Sequence, residues 1–78
     1  MKFNKQDFLA IPKQEITYYD DVICQIGNNY EICWMKGIRV DCNGVPIFDL
    51  EYDEYDEEGI FHLKPYVARF EEIRKYVE

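Results

Sequence analysis

From Ile16 to Asp53, apolar and polar side chains alternate with a period of two. The even positions Ile16, Tyr18, Val22, Cys24, Ile26, Tyr30, Ile32, Trp34, Ile38, Val40, Cys42, Phe48, Leu50 and Tyr52 are apolar. The odd ones include Thr17, Asp21, Gln25, Glu31, Arg39, Asp41, Asp49, Glu51 and Asp53. Side chains two residues apart share one face of a strand, so this segment reads as a β-meander with one wet face. A one-residue slip would turn an entire apolar set outward, and the turns must therefore respect parity.

Gly27-Asn28-Asn29 is expected as a three-residue loop, setting Ile26 opposite Tyr30 and Cys24 opposite Ile32. Asn43-Gly44 is a type I′ signal. A two-residue turn there would send Phe48, Leu50 and Tyr52 to the wrong face. A three-residue loop Cys42-Asn43-Gly44, with Gly44 left-handed in a bulge, keeps the parity and sets Trp34 opposite Tyr52. Asp20 and Lys36 break the even-apolar rule, and Gly37 beside Lys36 marks a bend or bulge. Pro46 removes a ladder donor, so the strand carrying it is expected to be an edge, at least at its start.

Helix signals flank the meander. Asn4 can cap, with Asp7 three residues on and Phe3 and Phe8 at the two staple positions. Pro12 ends that element. Near the C-terminus, Pro65 suits a first helical position. Tyr66, Phe70, Ile73 and Val77 then form one apolar stripe, and Glu71 and Lys75 a favourable i,i+4 pair. A helix from Pro65 to Glu78 would span about 20 Å, with Phe61 and Leu63 leading the chain onto the core. The expected fold is α+β: an antiparallel three- to four-stranded β-meander packed against a C-terminal helix, with a short N-terminal helix. A chain of 78 residues is expected to form a single domain, 1–78. No internal repeat is evident.

Hydrophobic content of 47% and aromatic content of 17% exclude a disordered chain. No apolar run approaches the ~18 residues of a membrane span, and the first residues lack an apolar signal region. An odd number of cysteines, Cys24, Cys33 and Cys42, fits reduced thiols. The expected location is cytoplasmic.

The excess charge is confined to one block. The chain has 16 acids and 9 bases, a net charge of -7, and the ten residues 49–58 hold seven of those acids and no base. Acidity argues against direct nucleic-acid binding and against an anionic membrane surface. It selects instead for a basic partner. The expected partner-binding residues are Asp49, Glu51, Asp53, Glu54, Tyr55, Asp56, Glu57 and Glu58. Tyr52, Tyr55 and the pair Tyr18-Tyr19 beside Asp20-Asp21 add rings on which arginine can stack. Asp49, Glu51 and Asp53 should project from the wet face above Leu50 and Tyr52. Their spacing of about 6.8 Å gives about a quarter of the charge density of duplex DNA. Glu54 to Glu58 in the following loop, with Glu31 or Asp41 nearby, would raise it.

The other chemistries are weaker. Asp53, Asp56, Glu57 and Gly59 lack the alternation of a calcium loop. Cys24, Cys33, Cys42 and His62 lack zinc-site spacing. Parity sends Cys33 away from Cys24, which disfavours a disulfide and leaves Cys24 and Cys42 as small buried residues. His62 is the only histidine, Thr17 the only threonine, and there is no serine and no Gly-rich phosphate loop. The chain is thus expected to be non-enzymatic, with no cofactor and no metal. The sharpest expectation is an acidic inhibitor that occupies a basic, nucleic-acid-binding surface of a larger protein. By analogy of size and charge alone, phage anti-CRISPR and anti-restriction proteins work in this way. Neutralising Asp49, Glu51 and Asp53 would then weaken binding and flatten its salt dependence. The alternative is a housekeeping interaction module or homodimer whose acidic block serves only solubility.

Overall fold

The computed structural model describes residues 3–77. A short helix α1 (Lys5–Ala10) precedes strands β1 (Val22–Ile26), β2 (Asn29–Val40), β3 (Pro46–Tyr55) and β4 (Phe61–Arg69). A 3-10 turn (Phe70–Glu72) then leads to β5 (Ile73–Lys75). The strands form one antiparallel sheet in the order β4-β3-β2-β1-β5.

The N-terminal signals act as expected. Asn4 Oδ1 accepts the Asp7 N–H at 2.7 Å, and Asp7 Oδ2 accepts the Asn4 N–H at 3.4 Å, closing a capping box. Six helical residues are too few to be stable alone. Phe8 fixes them by burying its ring against Ile23 and Tyr30, 4.9 Å from the Tyr30 ring. Arg74 of β5 clamps the same junction. Its Nε donates to the Ile11 carbonyl at 3.0 Å, and its guanidinium lies 4.6 Å from the Phe8 ring centroid.

The first hairpin departs from the expected parity. Ile26 faces Asn29 across a two-residue turn, with Gly27 at φ +60° and no positive φ at Asn28, the pattern of a type II′ turn. Val22 therefore faces Cys33. Cys33 enters the same core as Cys24, and Trp34 goes to the opposite face, paired with Glu51 and not Tyr52. Parity misled because β1 is covered on both faces. Val22 and Cys24 line the main core while Ile23 lies under α1. The strand also starts later than the alternation suggests, since Thr17 to Asp20 form a turn in which the Asp20 N–H donates to the Thr17 carbonyl.

A register shift between Met35 and Gly37, at the bulge expected there, restores the parity. Ile38 then lies opposite Phe48. The next turn matches expectation: Asp41 N–H donates to Val45 O and Gly44 N–H to Asp41 O, each at 3.0 Å, with Gly44 at φ +78°. Cys42 in that turn is exposed, not buried. Pro46 marks an edge only at the start of its strand, where no β4 residue pairs with it. It is the first residue of β3, an interior strand, and only Val40 lies beside it.

The expected C-terminal helix is absent among the described residues, and its last residue, Glu78, lies outside them. Residues Phe61–Arg69 form edge strand β4, and the stripe Tyr66, Phe70, Ile73, Val77 is divided among β4, the 3-10 turn, β5 and the segment after it. Pro65 is compatible with this because main-chain bonds alternate sides along an antiparallel ladder. Asp56 N–H donates to Ile60 O, so Glu54/His62 and Tyr52/Lys64 exchange bonds. Pro65, opposite Glu51, then turns its nitrogen to the free edge. Tyr66 and Ala68 face the core while Phe61, Leu63 and Val67 face out, a period-two requirement that a helix cannot meet.

The link from β4 to β5 also shapes the sheet. Five flat strands would place its edges about 19 Å apart at ~4.8 Å per strand. Four residue steps, Arg69 to Ile73, reach at most about 14 Å. The sheet must therefore curl. The inside of the curl holds Val22, Cys24, Cys33, Phe48, Leu50, Ala68 and Ile73, closed by Phe70 and Ile16.

Candidate interaction surface

Strands β2, β3 and β4 present their outer face in three rows. The central row, on β3, is Asp49, Glu51, Asp53 and Tyr55. The register sets Trp34 of β2 beside Glu51 on one side, and Val67, Pro65, Leu63 and Phe61 of β4 on the other. Leu50, between the acids, is buried in the opposite face. Trp34, Phe61, Leu63 and Val67 are 42%, 48%, 51% and 55% exposed, so each offers apolar area to a partner. Tyr55 meets Phe61 edge-on at 5.5 Å. Sequence reasoning placed the acids here. It missed the β4 row, which it assigned to a helix and its approach.

The acids are not equivalent. Arg39 grips Asp49 with Nε to Oδ2 at 2.9 Å and its second nitrogen to Oδ1 at 3.2 Å. That hydrogen bond, then the charge, holds the Asp49 carboxyl below the usual range. Lys36 Nζ lies 3.9 Å from Glu51. Asp56 is taken up by its own turn: Oδ1 accepts the Glu58 and Ile60 N–H groups, each at 2.9 Å, and Oδ2 lies 3.0 Å from His62 Nε2. His62, then Ile60, holds that carboxyl low. Asp53, Glu54, Glu57 and Glu58 have no ion pair among the described residues. The uncompensated charge thus lies where β3 runs into its hairpin, beyond the Asp49–Glu51 ridge.

Asp56 has a twin. In the preceding turn, Asp41 Oδ1 accepts the Asn43 and Val45 N–H groups at 2.8 and 3.0 Å, and Oδ2 accepts from Arg69 at 2.9 Å. Both turns read Asp-x-x-Gly followed by a β-branched residue, a short repeat visible in the sequence but not recognised there. Its meaning is architectural: one carboxylate oxygen ties the turn and the other meets a side-chain nitrogen from β4. An Asp56 so engaged is a poor calcium ligand.

Beside the hairpin, β2 and β3 part. Their pairing ends at Trp34 and Glu51. Past that point β2 follows β1 and β3 follows β4, leaving a groove of about 770 Å³. Tyr30, Glu31, Ile32, Asn28, Asn29, Ile26 and Phe3 line one side, and Tyr52, Asp53, Glu54 and Tyr55 the other. Phe3 pairs with Tyr30 through an isolated bridge. Loss of hydration, then Glu54 and Glu31, push the Tyr52 phenol up. Alternation carries no signal for where two strands stop pairing, so the groove was not legible in the sequence.

The remaining chemistry-bearing residues are dispersed. Cys24 and Cys33 share the core, contrary to the expectation that they point apart, and both are free thiols. Hydrogen bonding with Cys33, then burial, holds the Cys24 thiol far above the usual range. His62 and Asp56 form a pair, but Cys42 lies in the turn at the opposite end of β3. Among the described residues no group of three or more His, Cys, Asp or Glu could hold a metal ion, and no helix is long and apolar enough to cross a membrane. Compared with known protein families, characterised proteins and solved structures, the chain matches none.

Proposed function

We propose that this is a non-enzymatic binding protein, an acidic inhibitor that occupies a basic, nucleic-acid-binding surface of a larger protein. One observation carries the reading. Four carboxylates with no ion pair among the described residues, Asp53, Glu54, Glu57 and Glu58, adjoin a face of exposed Trp34, Tyr55, Phe61, Leu63 and Val67. Aromatic anchors with a charged flank are the composition of a protein interface. Carboxylates at the flank would draw lysines and arginines and set the approach. Asp49 and Glu51, already compensated by Arg39 and Lys36, would contribute register more than attraction. Mimicry of phosphate charge then belongs to the hairpin and not to the strand. Three free thiols suit a reducing compartment such as the cytoplasm.

The test starts with affinity capture from the source cell. The affinity of the captured protein is then compared between two variants. Asp53→Asn/Glu54→Gln/Glu57→Gln/Glu58→Gln should weaken binding and flatten its salt dependence, and Asp49→Asn/Glu51→Gln should do so less. Equal effects would count against the reading.

The exposed β4 row favours one other reading, a homodimer through the same face. Two copies would oppose their acidic rows, and each carries a net charge of -7, which works against self-pairing. Light scattering separates them: a salt-insensitive dimer supports the homodimer.

A further inference from the structure

The groove between β2 and β3 brings three features into one slot. Its walls carry four aromatic residues, Phe3, Tyr30, Tyr52 and Tyr55, of which Tyr30 is buried against Phe8. Asp53 and Glu54 stand on its β3 side. Its β3 side is also a strand edge. Because Glu54 and Tyr52 exchange main-chain bonds with β4, Asp53 and Tyr55 turn theirs toward the groove, where no strand of β2 pairs with them.

Each feature restricts the occupant. A strand edge suits an extended segment. Carboxylates exclude an anionic one. Rings beside carboxylates favour arginine over lysine, since a planar guanidinium stacks on a ring and binds carboxylate with two hydrogen bonds, while an ammonium stays strongly hydrated. A volume of about 770 Å³ lies within the range of side-chain and small-ligand sites.

We propose that this groove seats an extended, arginine-bearing segment of the partner. Its main chain pairs with Asp53 and Tyr55, and its side chains alternate between the faces, so that a guanidinium meets the Tyr55 ring and the Asp53 carboxylate on the outer face or the Tyr52 ring and the Glu54 carboxylate on the inner one. The inference rests on the function proposed above and names the chemistry that the partner brings.

The probe is a short peptide of alternating arginine and valine, titrated into the 15N-labelled full chain and followed by NMR. Its lysine counterpart is titrated in parallel. The amides of Ile32, Asp53, Glu54 and Tyr55 are expected to shift, with the lysine peptide at least about fivefold weaker. Asp53→Asn/Glu54→Gln should abolish the preference while its spectrum remains that of the folded chain. Equal affinity for the two peptides, or shifts confined to the outer face around Asp49 and Val67, would overturn the assignment. If the captured partner binds in a salt-dependent way but the arginine peptide does not occupy the groove, this inference alone fails. If the peptide binds but partner affinity ignores salt, the proposed function fails.

Discussion

Asp41, Asp49 and Asp56 each meet a side-chain nitrogen, of Arg69, Arg39 and His62 respectively, and all three carboxyls are held low. A carboxylate depressed in the folded state gives stability that is complete above its unfolded pKa of about 3.9 and is lost as pH falls through the folded value. The melting temperature is therefore expected to hold between about pH 7 and 5 and to drop below about pH 4. Asp41→Asn/Asp56→Asn should melt lower at neutral pH and show a shallower acid drop. Circular-dichroism melts across this range check it, and a profile parallel to the parent would contradict it. Arg74 is a different case. It is buried, and besides Ile11 it donates to the Ile73 and Glu71 carbonyls at 2.9 and 3.3 Å. Lysine cannot reach three carbonyls and stack on Phe8 together. Arg74→Lys should cost about 1–3 kcal/mol in urea denaturation, and a loss under about 0.5 kcal/mol would refute the clamp.

The elements were legible wherever one local signal decided them. Asn4 and Asp7 announced α1, and Gly44 and Gly37 announced a turn and a bulge. Legibility failed where two periods fitted one stretch. Tyr66, Phe70, Ile73 and Val77 obey a helical spacing, while Phe61, Leu63 and Val67 obey a strand spacing. What decided between them was the free edge of β3, which no local pattern encodes. The Gly27-Asn28 turn failed for a related reason: Ile32 and Cys33 are both apolar, so alternation permits either register. Pro65 gives the edge assignment a test. Its missing N–H interrupts an exposed nine-residue edge strand, the usual protection against edge-to-edge pairing. Pro65→Val should increase concentration-dependent scattering relative to the parent chain. Unchanged scattering would mean that the edge is guarded by something else.

At the scale of the molecule, the curled sheet separates two surfaces with different roles. The inner one is the core. The outer one carries an acidic row between the apolar row of β4 and Trp34, Lys36 and Arg39 of β2, and ends in a groove beside four carboxylates that have no ion pair among the described residues. The acidic block was visible in the sequence, but its division was not: charge counting gives Asp49 and Glu58 equal weight, whereas Arg39 cancels one and leaves the other. That division is the core of the proposed mechanism, and salt tests it most directly. The decisive measurement is the dissociation constant for the captured partner between about 50 and 500 mM salt. The proposal predicts a rise of at least about tenfold for the parent chain, and a nearly flat response for the variant neutralised at Asp53, Glu54, Glu57 and Glu58. A parent affinity that does not change across that range would contradict it.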